Sequence, residues 1–172
     1  EEAYAGDIIG LPGNKQFAIG DTISADKGYT FAPIPRFSPE HFARLVNIDI
    51  GKSKQFNKGL QQLATEGAMQ VLYEADAQKR DPILGVVGVL QFEVVQARLE
   101  GEYNVKTTLE PLPHQLARYV SGPEADIEQL PWRYSMMRVK DDAGNLVALL
   151  SSPHELNFYA SKFPAIEFKT AV

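Results

Sequence analysis

Gly51-Lys52-Ser53 is the triplet in this sequence closest to phosphate chemistry, because phosphate-binding loops present a lysine and a hydroxyl between a strand and a helix. Such a loop also needs a glycine five residues before the second one, so that successive amides can wrap the phosphates. That position holds Val46, so the triplet reads as a polar, glycine-eased helix entry. Asp7-Ile8-Ile9-Gly10 has the D-x-x-G form found in GTPases, yet it precedes the triplet, the reverse of the order a GTPase uses. Asn14-Lys15-Gln16 lacks the aspartate that would read a guanine base. His41, His114 and His154 are far apart, with no spacing that would bring two imidazoles to one metal. No serine stands in a G-x-S-x-G elbow, and Asp141-Asp142, beside Gly144-Asn145, has the chemistry of a hairpin turn. No catalytic, cofactor-binding or metal-ligating set emerges.

The residue types favour binding instead. Lys52, Lys54 and Lys58, with Arg36 and Arg44 nearby in sequence, form the one basic concentration of note. Lys54 and Lys58 are one helical turn apart and share a face, which suits phosphate or an acidic protein surface and equally suits a solvated helix face. Trp132, between Pro131 and Arg133, is either an exposed anchor or partly buried core.

Composition limits the choices further. With 44% apolar and 23% charged residues, 172 residues can bury a real core, as one domain plus a fragment or as two small domains. There is no apolar run long enough to span a membrane, no basic or apolar signal at the start, and no starting Met, so a piece of a longer protein is expected. The absence of cysteine excludes disulfides and thiolate metal sites and makes a cytoplasmic setting the expectation. A net charge of −5 gives no general attraction to nucleic acid, so any RNA contact must be local.

Periodicity then supplies the elements. The first residues read as short strands, 7–11 and 17–23, around a Pro12-Gly13-Asn14 turn, too few to stand alone. Pro33, Pro35 and Pro39 stiffen a connector near which a domain boundary belongs. After it the pattern predicts a strand over 41–48, a helix over 52–66 with Phe56, Leu60 and Leu63 inward and Gly67 as cap, and a strand over 69–73. The β-branched run from Ile83 to Leu90 predicts a further strand in which Gly88 lets a neighbour approach. The period then changes: Phe92, Val95, Leu99 and Tyr103 recur as one helix face. A strand over 105–109 completes a β-α-β-β-α-β order, the ferredoxin-like arrangement. The same order is predicted again, with strands over 116–120, 134–139, 146–150 and 166–169 and helices over 124–130 and 153–163, the latter opened by Ser152-Pro153 with Glu155. The fold class expected is therefore α+β: a ferredoxin-like unit and a second, similar α/β half, about 38–110 and 111–172, after short strands without a complete core of their own.

Three segments resemble one family. Ala5-Gly6-Asp7-Ile8-Ile9-Gly10-Leu11 with Ile19-Gly20-Asp21-Thr22 is similar to the end of the β-barrel second domain of translational GTPases. The proline-rich segment from Phe31 to Glu40 looks like the crossing into the third domain. The stretches 52–71 and 87–105 resemble the third domain of the bacterial peptide chain release factor three family; the related elongation factor G carries G-E-L-H where this chain has Val89-Leu90-Gln91-Phe92. The resemblance implies domains at 1–30, the end of the barrel, and 31–172, the release-factor C-terminal portion. It further implies a cytoplasmic, ribosome-associated GTPase that removes class I release factors, with GTP and GDP held by a domain in cis outside this chain. The partners implied are the ribosome, both rRNA and ribosomal protein, and indirectly the class I release factors, with no membrane. Arg36, Lys52, Lys54 and Lys58 are then the candidate ribosome contacts. A non-catalytic role is expected for the chain itself, and the alternative is a small-molecule-binding regulatory module of ferredoxin-like type.

Overall fold

The computed structural model describes residues 2–10, 20–26, 28–31, 38–76, 81–132 and 136–170. The chain divides into two compact units, 1–35 and 36–172. In the first, no strand is paired among the described residues, contrary to the strands expected at 7–11 and 17–23 as far as those residues are described. Local bonds hold it: the Tyr4 amide donates to Asp7 Oδ2 at 2.8 Å and the Phe31 amide to Thr22 Oγ1 at 3.0 Å. Tyr4, Ile8, Ile9, Ile23, Tyr29 and Phe31 are all exposed. Among the described residues these side chains do not bury one another, and alternation alone makes no sheet there.

The second unit contains β1 (His41–Asn47), a 3-10 turn (Ile50–Lys52), α1 (Ser53–Thr65), β2 (Gln70–Glu74), β3 (Ile83–Val86), α2 (Leu90–Tyr103) and β4 (Thr107–Leu112). It continues with β5 (Leu116–Ser121), α3 (Glu124–Ile127), β6 (Met136–Asp141), β7 (Leu146–Leu150), α4 (Pro153–Lys162) and β8 (Glu167–Lys169). The strands form a single sheet in the order β4-β1-β3-β2-β6-β7-β5-β8, antiparallel at every pairing. The first four strands have the ferredoxin-like order, and the last four repeat it in mirror sequence along the sheet. The two halves meet edge to edge where Leu72, Tyr73 and Glu74 pair with Asp141, Lys140 and Val139.

Because strand side chains alternate, each half has two faces to bury. Leu45, Val71, Leu84 and Val86 pack under α1 and α2 with Phe56, Leu60, Leu63, Val95 and Leu99. Met136, Ala148 and Leu150 pack under α4 with Leu130 and Ile166. The opposite, helix-free face is closed by the sheet itself: Phe42, Leu72 and Ile83 of one half join Ala117, Val139, Val147 and Leu149 of the other in one buried cluster. That contact requires the sheet to curl. Gln70 Nε2 reaches Tyr119 Oη at 3.1 Å although three strand pairings separate β2 from β5.

Local chemistry explains most boundaries. Gly67, at φ 76°, ends α1 in the left-handed region that favours glycine, and the Gly67 and Ala68 amides donate to the carbonyls of Ala64 and Leu63. Ser152 Oγ accepts from the Glu155 amide at 3.3 Å while Glu155 Oε2 accepts from the Ser151 amide at 2.9 Å, so α4 starts with a reciprocal cap. Three expectations fail. The strand from Ile83 stops at Val86, because Gln91 Oε1 takes the amides of Val87 and Gly88 at 2.9 and 3.0 Å and folds those residues into a turn. Gly88 accordingly has open space where a Cβ would stand, with no neighbour approaching. The helix expected over 124–130 is one turn long, Glu124–Ile127.

Candidate functional site

Surface chemistry centres on α1 and α2, which cover the first half. Asn47 Oδ1 accepts the Asp49 amide at 2.9 Å, turning the chain out of β1 and into the 3-10 turn that leads to α1. Phe56, Gly59, Leu60 and Leu63 then form the buried stripe. Gly59 is a packing residue that apolar periodicity does not reveal: a Cβ there would lie 2.7 Å from Leu99 Cδ2 and 2.9 Å from the Tyr103 ring. Without it α1 and α2 could not approach so closely.

The stripe leaves Lys54 and Lys58 on the outward face, exposed among Gln55, Asn57, Gln61 and Gln62. Between Ser53 and Thr65 there is no carboxylate, and among the described residues neither lysine makes an ion pair. Two cations with amide side chains between them can donate to phosphate oxygens without competition from their own helix. Lys52 is placed differently. Its Nζ donates to the Asn104 carbonyl at 2.6 Å and to Asp49 Oδ2 at 3.3 Å, so it ties the entry of α1 to the exit of α2. Asp49 Oδ2 also accepts the Lys106 amide at 3.2 Å. That amide and the Lys52 ammonium hold the Asp49 carboxyl below its ordinary range. Ser53 Oγ donates to the Ile50 carbonyl at 2.7 Å, so the lysine and hydroxyl of the triplet both serve the helix entry.

Arg36 lies outside the described residues, as do Pro33 and Pro35. Arg44 does not join the basic face. It sits half-buried on the helix-free side of β1, paired with Glu74 and, at 3.8 Å, with Glu110. The structure thus brings Lys54 and Lys58 together and assigns Lys52 and Arg44 to structural pairs. Trp132 is partly buried core: Nε1 donates to the Ile127 carbonyl at 2.8 Å and Arg138 lies over the ring at 5.5 Å. Among the described residues no group of three or more His, Asp or Glu side chains is set to hold a metal ion, and no helix is long and apolar enough to cross a membrane. A shallow groove beside α2 is lined by Ile48, Glu93, Gln96, Ala97, Glu100, Lys106 and Thr107.

Paired ferredoxin-like units sharing one curled sheet, with a carboxylate-free lysine face on α1, define an α+β domain of ferredoxin-like type. Residues 31–160 match the family model described as Class II release factor RF3, C-terminal domain, and the chain belongs to that family. It is similar to proteins named peptide chain release factor 3 from Gloeobacter violaceus, 49% identical over 98% of this chain and 32% of the relative. Those from Rippkaea orientalis and Microcystis aeruginosa are 50% and 48% identical over 91% and 99% of this chain. The chain spans less than a third of the length of these curated relatives, 29% to 32%.

Proposed function

We propose that this chain is the non-catalytic C-terminal part of a ribosome-associated translational GTPase that promotes dissociation of class I release factors during termination. The observation that carries the reading is the family match over 31–160 together with relatives named peptide chain release factor 3. GTP and GDP belong, in this reading, to a domain in cis beyond the chain, and the setting is the cytoplasm. Residues 1–30 would be the end of the β-barrel domain and 31–172 the release-factor domain.

Arg36, Lys54 and Lys58 are the side chains proposed to meet rRNA phosphates or an acidic patch of ribosomal protein, with Lys52 holding the helix entry that presents them. The curled sheet buries its own second face, so the unit moves as one body. A proline-stiffened connector then lets the nucleotide state of the barrel reposition it. The small-molecule alternative needs an enclosing cavity, and the groove beside α2, among the described residues, is open to solvent.

Sedimentation with purified ribosomes tests the reading. Lys54→Glu with Lys58→Glu is expected to weaken binding by roughly tenfold, since each phosphate contact contributes to a steep salt dependence, while the melting temperature stays unchanged. Unaltered sedimentation of the double variant would sink the assignment to α1. In the full-length protein, glycine at positions 33, 35 and 39 is expected to slow factor recycling and leave GTP affinity intact.

A further inference from the structure

α2 is apolar on two faces. Phe92, Val95, Leu99 and Tyr103 pack inward. On the opposite side Leu90, Val94, Ala97 and Gly101 recur at steps of four, three and four, which is the spacing of a helix-packing seam. Leu90 is 68% exposed and Val94 54%, and the preceding turn adds Val87 at 44% and Val89 at 56%. A surface helix ordinarily has one apolar stripe, facing the core, and polar residues opposite it, so a second exposed stripe is the part that calls for a cover. The seam is also held ready. Gln91 fixes the turn through the Val87 and Gly88 amides, and Gly101 leaves open space where a side chain would block close approach.

The surrounding charges select the occupant. Glu93 and Glu100 flank the seam on the groove side, where Lys106 is the one cation among the described residues of the lining. On the other side Arg98 is consumed by Glu66 and by Glu102, the latter at 2.6 Å. RNA phosphates or an anionic membrane would meet these carboxylates unfavourably, and a second copy packed antiparallel would set Glu93 and Glu100 against their own counterparts. A basic surface is complementary. We propose that the outward seam of α2 docks an amphipathic helix of a partner protein whose apolar edge is flanked by lysine or arginine. The seam lies on a different helix from the lysine face of α1, so the proposal does not rest on the ribosomal reading.

Two short synthetic helices, with leucine along one edge and either lysine or glutamate beside it, are the probes. The chain is expected to bind the lysine helix and not the glutamate helix. Val94→Asp should weaken binding by roughly tenfold, as for loss of a central apolar anchor, without lowering the melting temperature. Glu93→Lys with Glu100→Lys should reverse the preference between probes. Equal affinity for both probes, or full binding by Val94→Asp, would overturn the proposal. So would a dimer in sedimentation that Val94→Asp abolishes, or a labelled oligoribonucleotide whose binding the same change removes. The chain has no cysteine, so Val94→Cys can be labelled uniquely; protection from maleimide in the full-length protein without partner would assign the seam to another part of the same chain and overturn it as well.

Discussion

The two halves of the sheet share a topology and differ in what covers it. In the first, helices of 13 and 14 residues pack on β1, β3 and β2 through an interior that includes Phe56, Leu60, Leu63, Val95 and Leu99. In the second, α3 has four residues and α4 has ten, and neither contains a fully buried residue. Leu130 and the half-buried Trp132 fill the space a longer α3 would occupy, and Glu128, 2.8 Å from Arg138, anchors the turn to β6. Strand order is therefore set by chain connectivity and the shared helix-free core. The helices are covers of unequal depth, thick on one side and thin on the other.

The sharpest way to break that comparison is to damage the shared core. Leu72→Ala, at a fully buried position in the first half, is expected to cost about 3 kcal/mol, within the range for leucine truncation in cores. Trp132 fluorescence reports the second half, and it should lose its transition at the same lowered denaturant midpoint. Two separated transitions would show that the halves melt independently. Gly59→Val acts on the thick cover alone: forcing a side chain against Leu99 and Tyr103 should cost about 2 kcal/mol, read as an earlier urea midpoint. On the thin cover, Ser152→Ala removes the cap of α4 and should cost about 1 kcal/mol.

The smallest expected effect is a pH dependence confined to the joint between halves. His114, between β4 and β5, has its imidazole lowered below the ordinary 6.5 by partial burial, with Glu155 opposing the shift. The unfolded chain therefore takes up a proton at higher pH than the folded one. Stability should fall as pH drops through 6.5 and level off below the folded value. His114→Gln should flatten the melting temperature over that interval, and an unchanged slope would assign it elsewhere.

Much of this was legible in the residues, because periods of 3.6 and 2 come directly from which face is buried. Both β-α-β-β-α-β orders, the caps at Gly67 and Ser152, and the inward faces of α1 and α2 follow from pattern. What pattern does not carry is partnership. Val87 and Val89 look like strand because they are β-branched, yet a single glutamine side chain four residues on from Val87 folds them into an exposed turn. Arg44 and Lys52 look like surface cations, and only the register of β1 against β4 and the return of α2 past Asn104 reveal their carboxylate and carbonyl partners. The curl of the sheet, which depends on contacts between residues distant in the chain, has no local signature. Lys54 and Lys58, by contrast, were readable because a helix face needs only spacing.

The pairing of β2 with β6 also bears on synthesis. Emerging from the ribosome, the first half completes its helices and three of its strand pairings long before Met136–Asp141 exists, leaving Gln70–Glu74 as an open edge beside the uncovered Phe42, Leu72 and Ile83. An unpaired strand next to an apolar face is a template for aggregation. In the finished sheet that edge is gone, and the remaining ones are β4, interrupted by Pro111, and β8, only three residues long. Translation that stalls between the halves would hold that strand and that apolar face open together.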